Sequence, residues 1–369
     1  MLARAVTRAR VATATSRWSA RCVGLSQGNA RMMSLSTARP PIISLDDGSD
    51  DAVAQLAEAF AEYGCCYLSG TGVSRALEKR VMESAKAFCA LPEDVKSSIP
   101  VVQNGQGFTR GYIGMGKESG SEDRIEVKEA FSYGYEWPSD SAFDQANGLQ
   151  GPNVWPSDRV WPAQHREAMN EFFTRMARAS RSVSRQLSQT LYGDAKFLDG
   201  FCNHGDTISI MRLFHYFPYS HFGAPPPCGF EFIGSSPHTD WGFLTLILQD
   251  EVGGLQVLHK DKWIDVPYVP DTLVVNAGDY LSLITNGKCV SPVHRVIADD
   301  RERYSMVFFY YPDFDAVIPS VNEELTARIG GNRGAASTDA FNNLLDGTVK
   351  KVDGCFGEYI MAKWAGVQR

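Results

Sequence analysis

The chain has 369 residues, 44% hydrophobic and 21% charged, with 36 Lys+Arg against 43 Asp+Glu. That length supports a full hydrophobic core, and the composition is that of a globular protein rather than a fibrous or disordered one. No apolar run reaches the roughly 18 residues of a membrane-spanning helix, and the eight Cys are scattered without a C-x-x-C pair, which speaks against a zinc-cysteine site and for a reducing compartment.

Residues 1–40 stand apart. They hold seven Arg (Arg4, Arg8, Arg10, Arg17, Arg21, Arg31 and Arg39) and no Lys, Asp or Glu, among many Ala, Ser and Thr. Arg-rich, Ser-rich and acid-poor is the composition of an organelle transit peptide. The Arg content points to mitochondria; a plastid transit peptide and a disordered basic tail on a cytoplasmic protein are the alternatives. The remaining chain carries 29 basic and 43 acidic residues, a net charge of −14. Such a body repels nucleic acid and anionic membranes.

In chain order, Pro41–Leu45 reads as a short opening strand. Asp50 and Asp51 are placed to cap a helix with Val53, Leu56, Ala57 and Phe60 on one face, stopped by Gly64. Cys65–Leu68 reads as a strand, and Ser74 opens a second helix that ends at Leu91-Pro92. Residues 100–125 are Gly-rich, the mark of a loop. From Trp161-Pro162 a long helix runs to about Tyr192, with Ala168, Phe172, Met176, Ala179, Val183, Leu187 and Leu191 on one stripe. Its other face carries Arg175, Arg178, Arg181 and Arg185, a solvated face. Beyond Gly193 come short β-rich runs: Thr207–Tyr216, Phe243–Gln249, Leu255–Leu258, Trp263–Val266, Thr272–Asn276, Tyr280–Ile284, Val293–Ile297 and Arg303–Tyr310. Short strands with Gly and Pro turns between them argue for a sandwich or barrel. The tail around Phe356–Ile360 and Lys363-Trp364 reads as a helix placed to cover the barrel mouth.

Within the β-rich part, His238-Thr239-Asp240 precedes the apolar run Phe243–Leu248. On an extended strand residues two apart share a face, so the imidazole and the carboxylate would lie side by side. A second imidazole, His294, follows 54 residues after Asp240. Two His and one carboxylate on one face of a metal leave three positions open, the ligand set of non-haem Fe(II) oxygenases. Nine residues beyond His294, Arg303 and Ser305 flank Tyr304. A guanidinium and a hydroxyl on one face make a carboxylate site. H-x-D alone occurs often by chance; the combination does not.

With these residues, the chain resembles the 2-oxoglutarate/Fe(II)-dependent dioxygenase superfamily in its isopenicillin-N-synthase-like branch. The likeness also runs through Gln249–Val257, Trp263–Val266 and Asn276–Asp279, and extends from about residue 41 to the C-terminus. It implies a mainly β (α+β) fold: a double-stranded β-helix of jelly-roll type with helices outside. Residues 41–192 would form an N-terminal helical and strand region packed on the core, 193–315 the core and 316–369 a C-terminal helical segment. It further implies Fe(II) on His238, Asp240 and His294, and 2-oxoglutarate on Arg303, Ser305 and a tyrosine, here Tyr216. O2 would be the oxidant and ascorbate a candidate reductant. Arg110 and Tyr112 would lie at the mouth of the site as substrate contacts, Lys128–Phe131 would be a structural turn, and His215 structural. A carboxylate at position 240 favours hydroxylation, desaturation or oxidative cyclisation over halogenation. An oxidase of the same branch that does without 2-oxoglutarate, and a non-catalytic jelly-roll binding protein, are the competing readings.

Overall fold

In the computed structural model, described residues are 39–99, 110–117, 124–136, 149–202, 207–223, 226, 230–317 and 354–367. The Arg-rich segment, except Arg39, lies outside them, as does most of the Gly-rich stretch 100–125. The elements are β1 (Ile42–Ser44), α1 (Asp50–Glu62), β2 (Cys65–Ser69), α2 (Arg75–Cys89), α3 (Glu93–Ser97), β3 (Gly111–Ile113), β4 (Arg124–Glu126) and β5 (Lys128–Gly134). They continue with α4 (Ala163–Tyr192), β6 (Ile210–Tyr216), β7 (Glu231–Ile233), β8 (Ser235–His238), β9 (Leu244–Gln249), β10 (Leu255–His259) and β11 (Lys262–Asp265). The chain closes with β12 (Leu273–Ala277), α5 (Asp279–Ile284), β13 (His294–Val296), β14 (Arg303–Tyr310) and α6 (Phe356–Val367).

An eight-stranded sheet in the order β1-β2-β12-β9-β14-β6-β5-β3 faces a four-stranded one, β11-β10-β13-β8. The pleat divides the large sheet's side chains into two sets. On β14, Tyr304, Met306, Phe308 and Tyr310 point outward into a core shared with α1, α2 and α4; Val307 points inward. There it meets Phe214, Tyr216, Ile247 and Val274 of the same sheet and Leu255, Val257 and Val296 of the opposite one. Each buried Phe, Leu or Val of these cores stabilises the fold by about 1.5–3 kcal/mol.

The helices follow their expected stripes, with Ala168, Phe172, Met176, Ala179, Val183 and Leu187 of α4 all buried. Its Arg178, Arg181 and Arg185 lie on the exposed face, Arg185 paired with Asp199 at 2.7 Å. Three expectations are corrected. The cap of α1 is Ser49, whose hydroxyl accepts from Ala52 N–H at 3.2 Å, rather than Asp50 or Asp51. Tyr280–Ile284 is helical, because Gly278 starts a turn instead of continuing β12. Lys128–Phe131 is no turn but the start of β5, hydrogen-bonded between β3 and β6. The short strands β3, β4, β7 and β8 are additions to the runs expected from the sequence.

Candidate active site

Between the two sheets lies a cavity of about 210 Å3. His238 ends β8 and His294 opens β13, and the two are direct register partners in the small sheet. Their rings lie 4.3 Å apart. Asp240 follows His238 in a loop that the backbone staples to α5: Asp279 N–H donates to Asp240 C=O at 2.7 Å and Tyr280 N–H to Gly242 C=O at 3.1 Å. This approach needs glycine, since a Cβ on Gly278 would sit 2.0 Å from the Gly242 oxygen. The carboxylate therefore reaches the two imidazoles, Oδ1 lying 3.9 Å from His238 Nε2 and Oδ2 3.7 Å from His294 Nε2.

The donor chemistry fits a divalent metal. Nδ1 of His238 lies 2.7 Å from Ser236 C=O and Nδ1 of His294 3.1 Å from Pro292 C=O. With Nδ1–H donating to these carbonyls, each Nε2 lone pair is turned to the cluster, the orientation usual for metal-bound His. Desolvation, with His294 alongside, lowers the His238 imidazole from its usual range, while its side chain stays 43% exposed. Asp240 Oδ2 is buried without a hydrogen-bond partner, a costly arrangement for a carboxylate unless a cation satisfies it. These three residues could hold a metal ion through one ligand atom each.

At the other end of the cavity Arg303 is 3% exposed. Its Nε donates to Gly253 C=O at 2.5 Å, Nη1 to Ser305 Oγ at 3.3 Å and Nη2 to Gln249 Oε1 at 3.3 Å. The guanidinium carbon sits 4.5 Å from the Tyr216 ring centre, and Arg303 pairs with Tyr216 in the register of β14 and β6. Arg303, Ser305 and Tyr216 thus share the cavity with the His-Asp-His group. A buried, fixed guanidinium with a hydroxyl beside it is suited to a carboxylate.

The two expected substrate contacts come out differently. Tyr112 points to the opposite face of the sheet, into the helix-side core, where its hydroxyl donates to Glu129 at 2.6 Å. Arg110 is buried over Gly134, on β5 next to the strand of Arg212, and neither Tyr112 nor Arg110 lines the cavity directly. His215 likewise faces away, with Nδ1 2.8 Å from Glu129 and Nε2 2.8 Å from Glu302. Cys89, Glu129 and His215 are close enough to suggest a second metal group, but Lys96, Tyr112 and His215 already occupy the Glu129 carboxylate. Burial raises that carboxyl's pKa, yet these hydrogen bonds outweigh it and bring it down to about 2. This is a structural network. Sequence reasoning missed Arg212, which lines the cavity, whereas Trp364 was expected in a helix over the barrel mouth and does line the cavity from α6. Alternation along β6 with Tyr216 was a usable signal for Arg212.

Residues 207–312 match the 2OG-Fe(II) oxygenase superfamily, and residues 40–158 match the family described as non-haem dioxygenase in morphine synthesis N-terminal. The chain is 33% identical to the 2-oxoglutarate-dependent dioxygenase caaD of Aspergillus niger over 73% of its own length and 81% of that protein. It is 32% identical to the homoarginine-6-hydroxylase 2-ODD-C23 of Glycine max over 81% of its length and 88% of that protein. Its fold is similar to that of full-length Neurospora crassa T7H in complex with alpha-KG, with a TM-score of 0.68 and 25% identity over 88% of this chain and 96% of that one. The chain therefore belongs to the 2-oxoglutarate/Fe(II)-dependent dioxygenase superfamily, and is an Fe(II)- and 2-oxoglutarate-dependent oxygenase built on a double-stranded β-helix.

Proposed function

We propose that His238, Asp240 and His294 hold the Fe(II), that Arg303, Ser305 and Tyr216 hold the far carboxylate of 2-oxoglutarate, and that the enzyme hydroxylates, desaturates or oxidatively cyclises a small molecule. The observation that carries this reading is the convergence of two inward-turned imidazoles on the orphaned Asp240 carboxylate, in one cavity with the buried Arg303. When bound, the metal and 2-oxoglutarate supply oxidation of an unactivated C–H bond by O2, with 2-oxoglutarate ending as succinate and CO2. The chain's own residues set the orientation. Ser236 and Pro292 carbonyls fix the imidazoles, and α5 fixes Asp240 through backbone bonds. Arg303 sets the pose of 2-oxoglutarate by its distance from the His-Asp-His group. Ile247, Leu255, Val296 and Val307 give the cavity an apolar wall. Asp240 keeps a ligand position that halogenating relatives leave open, which supports oxygen insertion or desaturation rather than halogen transfer.

The test is to incubate the enzyme with Fe(II), 2-oxoglutarate and a cell extract, and to follow succinate and new oxidised metabolites together. Succinate and product rising one for one is the expected outcome. Product formed undiminished without 2-oxoglutarate would overturn the assignment of Arg303 to 2-oxoglutarate. We further propose, on composition alone, that residues 1–40 direct the protein to mitochondria.

A further inference from the structure

The two imidazoles of the His-Asp-His group are not supported alike. His294 has the Pro292 carbonyl behind it. His238 has the Ser236 carbonyl at 2.7 Å, and Ser236 stands where the ladder between β8 and β13 slips. Ser235 pairs with Val296 and His238 with His294, so Ser236 and Pro237 together oppose Arg295 alone. That is one residue too many on β8, a bulge of the kind that re-aims a side chain beside a site. Pro237 has no N–H to offer. Ser236 N–H, on the outer strand of the small sheet, donates instead to Glu126 Oε1 at 2.7 Å.

We infer that Glu126 is a positioning residue for the metal: by holding Ser236 N–H it fixes the bulge whose carbonyl orients the His238 imidazole. This rests on the assignment of His238 to the metal and deepens it. Three observations support it. First, the neighbouring strands aim Glu126 at the bulge. β4 runs parallel to β7 with Glu126 level with Ile233, and Val127 N–H donates to Ile233 C=O at 2.9 Å. The chain then passes from β7 to β8 through Gly234, where a Cβ would lie 2.8 Å from Val296 Cγ1 and 3.1 Å from the Tyr216 ring. Only glycine lets β8 start this close to its neighbours. Second, the carboxylate is buried and fixed at its other oxygen. Lys128 Nζ lies 2.8 Å from Oε2 and also donates to Ser235 Oγ at 3.2 Å. Burial pushes the Glu126 carboxyl up, but Lys128 and Ser236 outweigh it and bring it down to about 2. The bond from Ser236 N–H is therefore to an anion, the stronger kind. Third, the relay is one residue long. Ser236 gives its N–H to Glu126 and its C=O to His238 Nδ1, so a shift of this residue is passed straight to the imidazole. The partners behind a metal-bound His set its tautomer and the direction of its lone pair.

The experiment titrates Co(II) alone into the metal-free full chain. Calorimetry reads its affinity and visible absorption the geometry of its ligands. Two variants separate the two bonds of the carboxylate, each checked for its fold by circular dichroism before titration. Glu126→Asp keeps the charge opposite Lys128 but, one methylene shorter, falls short of Ser236 N–H. Glu126→Gln keeps an oxygen at Ser236 and gives up the charge, with Ser235 still accepting from Lys128. Glu126→Asp should bind Co(II) roughly 10- to 100-fold more weakly, the range for losing a partner behind a metal-bound His, and its Co(II) bands should shift. Glu126→Gln should stay within about threefold of wild type with its bands unchanged. The reverse order, equal loss in both or unchanged binding in both would assign Glu126 to its pair with Lys128 alone and overturn the proposal. A loss of about tenfold or more in Glu126→Gln overturns it whatever Glu126→Asp does. A wild type that binds no Co(II), or that binds it no more tightly than His238→Ala, would instead overturn the metal assignment on which the proposal rests.

Discussion

Replacing Arg303 by Ala is the perturbation whose size the structure specifies best. The side chain is 3% exposed and is held by the Gly253 carbonyl, Ser305 and Gln249. If it meets the far carboxylate of 2-oxoglutarate, its removal leaves a buried anion without a partner, a loss of about 3–5 kcal/mol. At about 1.4 kcal/mol per tenfold, the dissociation constant for 2-oxoglutarate should rise between about a hundredfold and a few thousandfold. Ser305→Ala should cost far less, about 0.5–1.5 kcal/mol, because one neutral hydrogen bond is exchanged for water. Arg303→Lys should recover only part of the loss, since an ammonium lacks the planar fork. The measurement is anaerobic calorimetry of 2-oxoglutarate binding to the Fe(II)-loaded enzyme, alongside the melting temperature without 2-oxoglutarate to separate binding from folding. An Arg303→Ala enzyme that folds and binds 2-oxoglutarate within about threefold of wild type would refute the reasoning, because stripping a buried carboxylate of its partner costs far more than that.

Three other outcomes are expected. His294→Ala should abolish turnover and weaken Fe(II) binding while circular dichroism stays native, and Asp240→Glu should also be impaired because the longer arm overshoots the pair of imidazoles; metal content and turnover check both. Glu129→Gln should destabilise the fold by about 3 kcal/mol in denaturant titrations at pH 7, because it strips Lys96 of its buried partner. The folded carboxyl sits at about 2 against an ordinary 4.5, so its contribution is full above about pH 4.5 and is lost as pH falls toward 2, and the gap between wild type and variant should close over that window. Protein purified from its native cell should begin near residues 30–41, and a chain lacking residues 1–40 should remain folded and active; N-terminal sequencing and turnover decide.

Much of the site was legible because its chemistry is carried by short-range spacing. His238 and Asp240 are two residues apart, Arg303 and Ser305 likewise; the period of two puts the latter pair on one face of β14, whereas Asp240 lies past the end of β8 and reaches the imidazoles from a loop held by α5. The same period linked Tyr216 to Phe214 and Arg212, yet a lone Arg in an apolar strand carries no mark of what it faces. Tyr112 was misread because Gly-rich neighbours suggested a loop, whereas three residues there pair with β5 and turn the ring to the helix side. Tyr280–Ile284 has the apolar density of a strand; what makes it a helix is the contact of Gly278 with Gly242, which brings together residues far apart in the chain's local pattern. Trp364 reaches the cavity only through packing of α6, and Ser49 won the cap because its short hydroxyl reaches Ala52 N–H in the extended conformation it adopts.

The two faces of the large sheet also tie stability to chemistry. On β14 the inward set Arg303, Ser305, Val307 and Phe309 runs from the carboxylate site to the aromatic end of the cavity. The outward set Tyr304, Met306, Phe308 and Tyr310 belongs to the helix-side core. A slip of one residue would bury Arg303 among α2 and α4 and turn Tyr304 inward. The outward apolar residues therefore hold the register that aims Arg303. The ring of Tyr304 stacks on His215 at 4.8 Å and 6°, and His215 is anchored to Glu129. The buried ion network under the sheet thus acts on the site without touching it, by making the alternative register of β14 costly.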